Sequence, residues 1–182
     1  MRNLENFLFS FHILKRLDMT VTTTTEPFDP GSRMYEAESL KLDQFEHNVP
    51  EVLRHFQGRQ AFLKILRFDI PDLIKFVNEW KSGEGFQKLE YLKIEVLTDY
   101  IPPTQVLRGV MEKRIDRSKK RLAHTLPKVF IDDKEKPNTE PIISPTYVVR
   151  ESDNRVASIL IQNSTFSFGV WDVTEEETFL KF

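Results

Sequence analysis

The sequence predicts a mixed α/β fold, in which a leucine-rich-repeat-like parallel βα array is followed by a C-terminal antiparallel β meander. Three observations predict it. Three short segments repeat the pattern apolar–Lys–apolar, and each of them is followed by a helix signal. The chain then closes with short strand patterns that Asp, Asn and Ser turns separate. This order of signals is typical of strand–helix units that lead into an antiparallel sheet.

The three repeated segments occupy residues 39–42, 62–65 and 91–94, and each alternates apolar and polar residues as a half-buried strand does. Prolines near the first helical turn mark the helices that follow, and glycines mark the ends of two of them. The prolines are Pro50, Pro71, Pro102 and Pro103, and the glycines are Gly58 and Gly83. Consecutive strands joined by a helix are expected to be parallel.

The regions on either side of this array have different patterns. For residues 1–37 the sequence predicts an amphipathic helix, then a short strand in the Thr-rich stretch 20–25 and a loop. The helix is predicted because apolar residues recur at helical spacing. These residues are Leu4, Phe7, Leu8, Phe11, Leu14 and Leu17. The domain itself is predicted for 38–182, with the array at about 38–125, a polar linker at about 132–145 and the meander at about 146–172.

Composition and charge limit the class of protein. The 182 residues are 40% hydrophobic and 30% charged, which excludes a disordered or membrane-embedded chain. The net charge of −2 excludes a generally polycationic nucleic-acid binder. No signal-peptide pattern and no stretch of about 20 apolar residues is present. Together with the absence of Cys, this favours an intracellular protein, cytoplasmic or nuclear, without a membrane segment.

No motif for catalysis or cofactor binding stands out. The sequence has no phosphate-binding loop, no H-E-x-x-H and no G-x-S-x-G, and its four His show no metal-ligand spacing. We therefore expect no catalytic residue, no metal site and no cofactor, and we do not expect an enzyme.

A basic segment supports an alternative function. Six cations lie between residues 113 and 121, and on a helix they would form one basic face that could contact the phosphates of a nucleic acid. They are Lys113, Arg114, Arg117, Lys119, Lys120 and Arg121. The other interpretation is a solvated helix end, since no aromatic residues interleave with these cations as a single-strand platform requires.

Two stretches of the sequence resemble a known family. Residues 76–83 and 89–94 resemble the "F-x-x-x-W…G…LEYL-x-I" core of the nematode F-box-associated domain, type 2. Residues 147–150, 154, 157–159 and 166–171 are similar to the closing "I-x-R-x-D-G-x-x-A-[ST]-[IV]…F…V-W" signature of that family. Asn154 or Arg155 replaces the usual Gly of the turn. The resemblance covers about residues 38–172.

The resemblance implies a non-catalytic domain that recognises the substrate protein of a ubiquitin ligase. In the family this domain usually follows an F-box, which binds the Skp1-type adaptor of a cullin-type ligase. The first 38 residues of this chain are too few for an F-box and lack its Leu-Pro-rich opening. The resemblance therefore gives no basis to expect binding to the Skp1-type adaptor, and the implied partner is an unidentified target protein.

The alternation in the array also predicts a core and a partner site. We expect Phe76 and Trp80 to be buried together with Leu92 and Ile94. The repeated Lys would point to the opposite face and lie side by side as a ladder. The partner site predicted on that face is mixed aromatic and basic, suits acidic partners, and consists of Lys41, Phe62, Lys64, Tyr91, Lys93 and Glu95. The alternative is a row of Lys that only keeps the face soluble.

Overall fold

The computed structural model of the chain describes residues 8, 10, 14–21, 29–44, 49–115, 123–124 and 139–180. In this part of the chain the strands are β1 (Arg16–Val21), β2 (Ser39–Gln44), β3 (Gln60–Ile65), β4 (Tyr91–Val96), β5 (Lys113–Arg114), β6 (Ala123–His124), β7 (Ile142–Ile143), β8 (Thr146–Val149), β9 (Arg155–Gln162) and β10 (Thr165–Thr174). The helices are α1 (Val49–His55), α2 (Ile70–Ser82), α3 (Pro103–Val110) and α4 (Glu175–Leu180). A 3₁₀ turn spans Arg33–Glu36.

The fold is mixed α/β and is built on one large sheet. Its eight strands lie in the order β1-β2-β3-β4-β10-β9-β8-β5, and β6 and β7 form a separate pair. Strands β1 to β4 are parallel to one another. Because α1, α2 and α3 follow β2, β3 and β4 in turn, the predicted order of three strand–helix units is confirmed.

The longest helix, α2, shows why the sequence signals predicted its ends. Pro71 lies in the first turn, where its missing N–H has no intrahelical partner to lose. The helix ends at Gly83, whose φ of 78° lies in the left-handed region that Gly adopts most readily. A Cβ on Gly83 would also lie 2.8 Å from Oγ of Ser152. The glycine therefore both ends the helix and lets the meander approach it.

The main core lies between the sheet and helices α1 to α3. Phe76 and Trp80 of α2 are 2% and 0% exposed, and Leu92 and Ile94 of β4 are equally buried in the same cluster. The rings of Trp80 and Phe168 meet edge to face, with their centroids 5.1 Å apart. The predicted burial of these residues is confirmed.

The antiparallel half of the sheet confirms the predicted meander. β10 pairs antiparallel with both β4 and β9, and β9 pairs antiparallel with β8. Asn154 and Asn163 lie at the two turns with φ of 58° and 54°, a conformation that Asn tolerates better than most residues. Of the predicted linker, residues 139–145 are described, and they include β7.

The N-terminal region confirms the prediction only in part: Leu8 is helical and fully buried, but the strand begins earlier than predicted. Leu17 was expected on a helix but lies in β1, which is the edge strand beside β2. The amide groups of Glu38 and Ser39 donate to the carbonyls of Leu14 and Lys15, so the chain is already extended against β2 before β1 begins. The sheet therefore starts before the predicted domain boundary at residue 38. Leu4, Phe7 and Phe11 lie outside the described residues.

The prediction of a basic helix at residues 113–121 is also wrong in the part that the structure describes. Helix α3 ends at Val110, and Met111 follows with a left-handed φ of 51°. Lys113 and Arg114 form the short strand β5, paired antiparallel with β8. No Gly or Pro follows this end in the sequence before Pro127. Arg117, Lys119, Lys120 and Arg121 lie outside the described residues.

Candidate functional site

The face of strands β1 to β4 that points away from the helices carries the candidate site, and we call it the open face. Because side chains alternate along a strand, every second residue of these strands points to it. Neighbouring residues across the strands form three rows, which the pairing register fixes. The first row is Arg16, Ser39, Gln60 and Tyr91; the middle row is Asp18, Lys41, Phe62 and Lys93; the outer row is Thr20, Asp43, Lys64 and Glu95.

All six residues of the predicted partner site lie on the open face, but the predicted Lys ladder is wrong. Lys41 and Lys93 share the middle row and lie on either side of Phe62. Lys64 lies in the outer row, between Asp43 and Glu95. The repeated segments therefore do not align by their Lys: Leu42 is opposite Leu63, and Leu63 is opposite Ile94. This register stacks the core-facing apolar side chains and shifts Lys64 by two residues.

Each Lys of the open face has a carboxylate near it. Lys41 Nζ lies 3.4 Å from Asp18, Lys64 Nζ lies 3.5 Å from Glu95, and Lys93 Nζ lies 3.6 Å from the exposed Glu140. These pairs are solvent-accessible, so each stabilises the fold by about 1 kcal/mol at most. Their effect on the surface is larger, because they turn a row of cations into a pattern of alternating signs.

Phe62 is the aromatic centre of the middle row. Its ring packs on that of Tyr91, with centroids 5.5 Å apart and planes tilted by 39°. Tyr91 is only 2% exposed, and burial raises the pKa of its hydroxyl, with the nearby charge of Glu140 adding to the rise. Tyr91 therefore supports Phe62 from the first row and does not itself offer a contact surface.

A shallow cavity of about 340 Å³ lies on the open face, over the middle and outer rows of β2, β3 and β4. Five of the six predicted partner-site residues line it, and Tyr91 does not. The lining is Lys41, Asp43, Phe62, Leu63, Lys64, Lys93 and Glu95. The prediction missed Asp43, although its position two residues after Lys41 places it on the same face.

The antiparallel half of the same side is covered by the protein itself. Ile115, Tyr147 and Val156 form a second apolar cluster there, against which Trp171 packs. The indole N–H of Trp171 donates to Oγ of Ser158 over 2.9 Å. The open face is therefore confined to the parallel half of the sheet.

The two described residues of the basic segment are engaged with carboxylates. Lys113 Nζ lies 2.7 and 2.8 Å from the two carboxylate oxygens of Glu175, and the Arg114 guanidinium lies 3.1 Å from Glu112. Glu175 also accepts a hydrogen bond of 3.1 Å from the hydroxyl of Tyr147. These contacts hold α4 against β5 and β8, so both cations have a structural partner.

The described ranges also bear on metal ligation and on membrane-spanning helices. No group of three His, Asp or Glu side chains in those ranges is arranged to hold a metal ion. Among the helices in the same ranges, none combines the length and the apolar character that a membrane span requires.

The chain was also compared with known proteins. No protein-family model, no curated protein and no solved structure matches it.

Proposed function

We propose that this chain is a non-catalytic protein-interaction domain that recognises a partner protein through the open face. The observation that carries the proposal is the cavity that Phe62 lines, with Lys41 and Lys93 on the strands to either side of Phe62. Phe62 is half-buried, and a partly buried aromatic residue within a polar rim is the usual arrangement of an interface hot spot. The long stems of the two Lys extend the apolar surface around the ring, while their ammonium groups stay in water.

The charges of the open face refine the class of partner. Its four cations are Arg16, Lys41, Lys64 and Lys93, and its four carboxylates are Asp18, Asp43, Glu95 and the adjoining Glu140. The predicted preference for acidic partners depended on cations that lie side by side, and the register separates them. We propose instead a partner that presents an apolar or aromatic side chain together with charges of both signs, since interfaces match unlike charges.

The resemblance to the F-box-associated domain supports the same function. In that family the domain recognises a substrate protein of a ubiquitin ligase, and the motifs of this chain fall in the family's order along the sequence. We propose the same role, inside the cell, for this chain. We also propose that its three strand–helix units are leucine-rich-repeat-like. These assignments depend on the sequence motifs.

The experiment is affinity capture from a cell extract with two charge-reversed variants of equal net charge. The site variant carries Lys41→Glu and Lys93→Glu, which reverse the cations beside Phe62. The control carries Lys75→Glu and Lys88→Glu, which lie on α2 and on the loop after it. We expect the wild-type chain and the control to retain the same proteins and the site variant to lose them. Equal retention by the site variant would contradict the proposal.

A further inference from the structure

The charges on the open face are arranged so that the face complements itself. From β1 to β4 the middle row reads acid, cation, aromatic, cation, and the outer row reads Thr, acid, cation, acid. Asp43 makes no ion pair with any residue in the described ranges, although it lies beside Lys64 in the outer row. When the same two rows are set against them in mirror order, Asp18 faces Lys93, Asp43 faces Lys64, and the aromatic residue of the middle row faces a cation.

We propose that a second copy of this chain binds the open face through a twofold axis that runs along the strands, midway between β2 and β3. Such an axis brings β2 opposite β3, and β1 opposite β4, of the other copy. Each Asp43 then lies opposite a Lys64, and each Asp18 lies opposite a Lys93. Each Phe62 ring lies opposite a Lys41 ammonium group, which is a favourable cation–π arrangement. The inference rests on the proposed function of the open face and names one of its partners.

The geometry of the sheet is compatible with this packing. Two sheets that pack face to face lie about 10 Å apart with their strands within about 30° of alignment, and the axis along the strands preserves that alignment. A twofold axis perpendicular to the strands would also pair unlike charges. The first row of each copy would then face positions beyond the ends of β1 to β4 in the other copy. The axis along the strands keeps the contact within β1 to β4.

The expected dimer is weak and competes with other partners. Four six-residue strands about 4.8 Å apart present a patch about 14 Å wide and about 20 Å long, roughly 280 Å², which is small beside the roughly 800 Å² per partner of a stable complex. Self-association should therefore appear only at high protein concentration. Because it covers Phe62, it should also exclude any protein that binds the same cavity.

The test is sedimentation velocity of the full chain at concentrations up to about 1 mM, where weak complexes become populated. The variants are D43K and K64D. A dimer of either variant alone opposes like charges at both Asp43–Lys64 contacts, whereas a mixed dimer of the two restores an unlike pair at each. Two control variants with the same charge changes, D99K and K88D, are at positions outside the three rows of the open face and outside the cavity lining.

We expect the apparent mass of the wild-type chain and of both controls to rise from 21.5 kDa toward twice that value. Each site variant should dimerise at least tenfold more weakly, and an equal mixture of the two should recover the wild-type behaviour. A wild-type chain that stays monomeric at about 1 mM would overturn the inference, as would a mixture without recovery. In either case, capture that still depends on Lys41 and Lys93 would leave the proposed function standing.

Discussion

The guanidinium of Arg150 lies over the ring of Trp80, with Cζ 5.1 Å from the ring centroid. Arg150 is 4% exposed and Trp80 is fully buried, so this cation–π contact is made away from water. Asp153 binds the same guanidinium through two contacts of 2.9 and 2.6 Å, and the carbonyl of Gln87 accepts a third. One buried cation therefore joins the turn between β8 and β9 to the end of α2.

Replacing Trp80 by Ala should destabilise the fold by about 3–5 kcal/mol, because the change removes a fully buried ring and leaves a cavity beside Phe168. The measurement is the free energy of unfolding in urea. As a control, Tyr100→Ala removes a ring that is 63% exposed and should cost no more than about 0.5 kcal/mol. A loss below about 1 kcal/mol for the Trp80 variant would contradict its assignment to the core.

Asp153 should make the stability depend on pH in the acid range. Its hydrogen bonds to Arg150 lower the pKa of the carboxyl below the unfolded value of about 3.9. A lowered folded pKa stabilises the protein above the unfolded value, and this contribution is lost as the pH falls through the folded pKa. The wild-type advantage over Asp153→Asn should therefore shrink below about pH 4. An advantage that stays constant down to pH 2 would show that this carboxyl is not coupled to folding.

Tyr147 should make the stability depend on pH in the alkaline range. Burial, with the hydrogen bond to Glu175 and its charge, raises the pKa of Tyr147 to about 12, against an unfolded value of about 10. A raised folded pKa gives a contribution that is complete below about pH 10 and is lost as the pH rises through the folded pKa. An absorbance titration of the wild-type chain should show a tyrosine that ionises only at a pH well above 10. Glu175→Gln should move that ionisation to lower pH, and an unchanged titration would contradict the contact.

Gln44 should be a site where a substitution stabilises the fold. Its side chain is fully buried at the end of β2, and its amide makes no hydrogen bond to any described residue. A buried polar group without a partner costs about 1–3 kcal/mol, and Met has a similar shape without that cost. Gln44→Met should therefore raise the free energy of unfolding by about 1 kcal/mol or more. A clear loss of stability would show that the amide is satisfied.

The sequence predicted the three strand–helix units because local signals and packing agree there. Apolar alternation, a proline in the first turn and Gly83 at the end all point to the same elements. β1 was predicted to begin too late, at Thr20, for the opposite reason: Leu17 also fits a helical period, and pairing with β2 makes it part of the strand. The basic helix was extended too far because Met111, a long side chain, adopts a left-handed conformation that normally favours Gly.

The sequence predicts which residues lie on the open face, but it does not predict how they are aligned across neighbouring strands. Alternation alone places Lys41, Lys64 and Lys93 on one side of the sheet. Which of them lie side by side depends on how β3 pairs with its neighbours, and β3 begins at Gln60, two residues before the repeated segment. This offset places Phe62 between two cations, and no local pattern in the sequence encodes it.

The most direct test of the account compares two aromatic truncations, Phe62→Ala on the open face and Tyr100→Ala away from it. The measurement is the amount of each protein that the wild-type chain captures from extract, with thermal midpoints recorded to show that both variants are folded. If Phe62 is the anchor of the interface, its loss should reduce capture at least tenfold, which corresponds to about 1.4 kcal/mol of binding free energy. Tyr100→Ala should leave capture unchanged. Equal capture by a folded Phe62 variant would contradict the claim that the open face is the interaction surface.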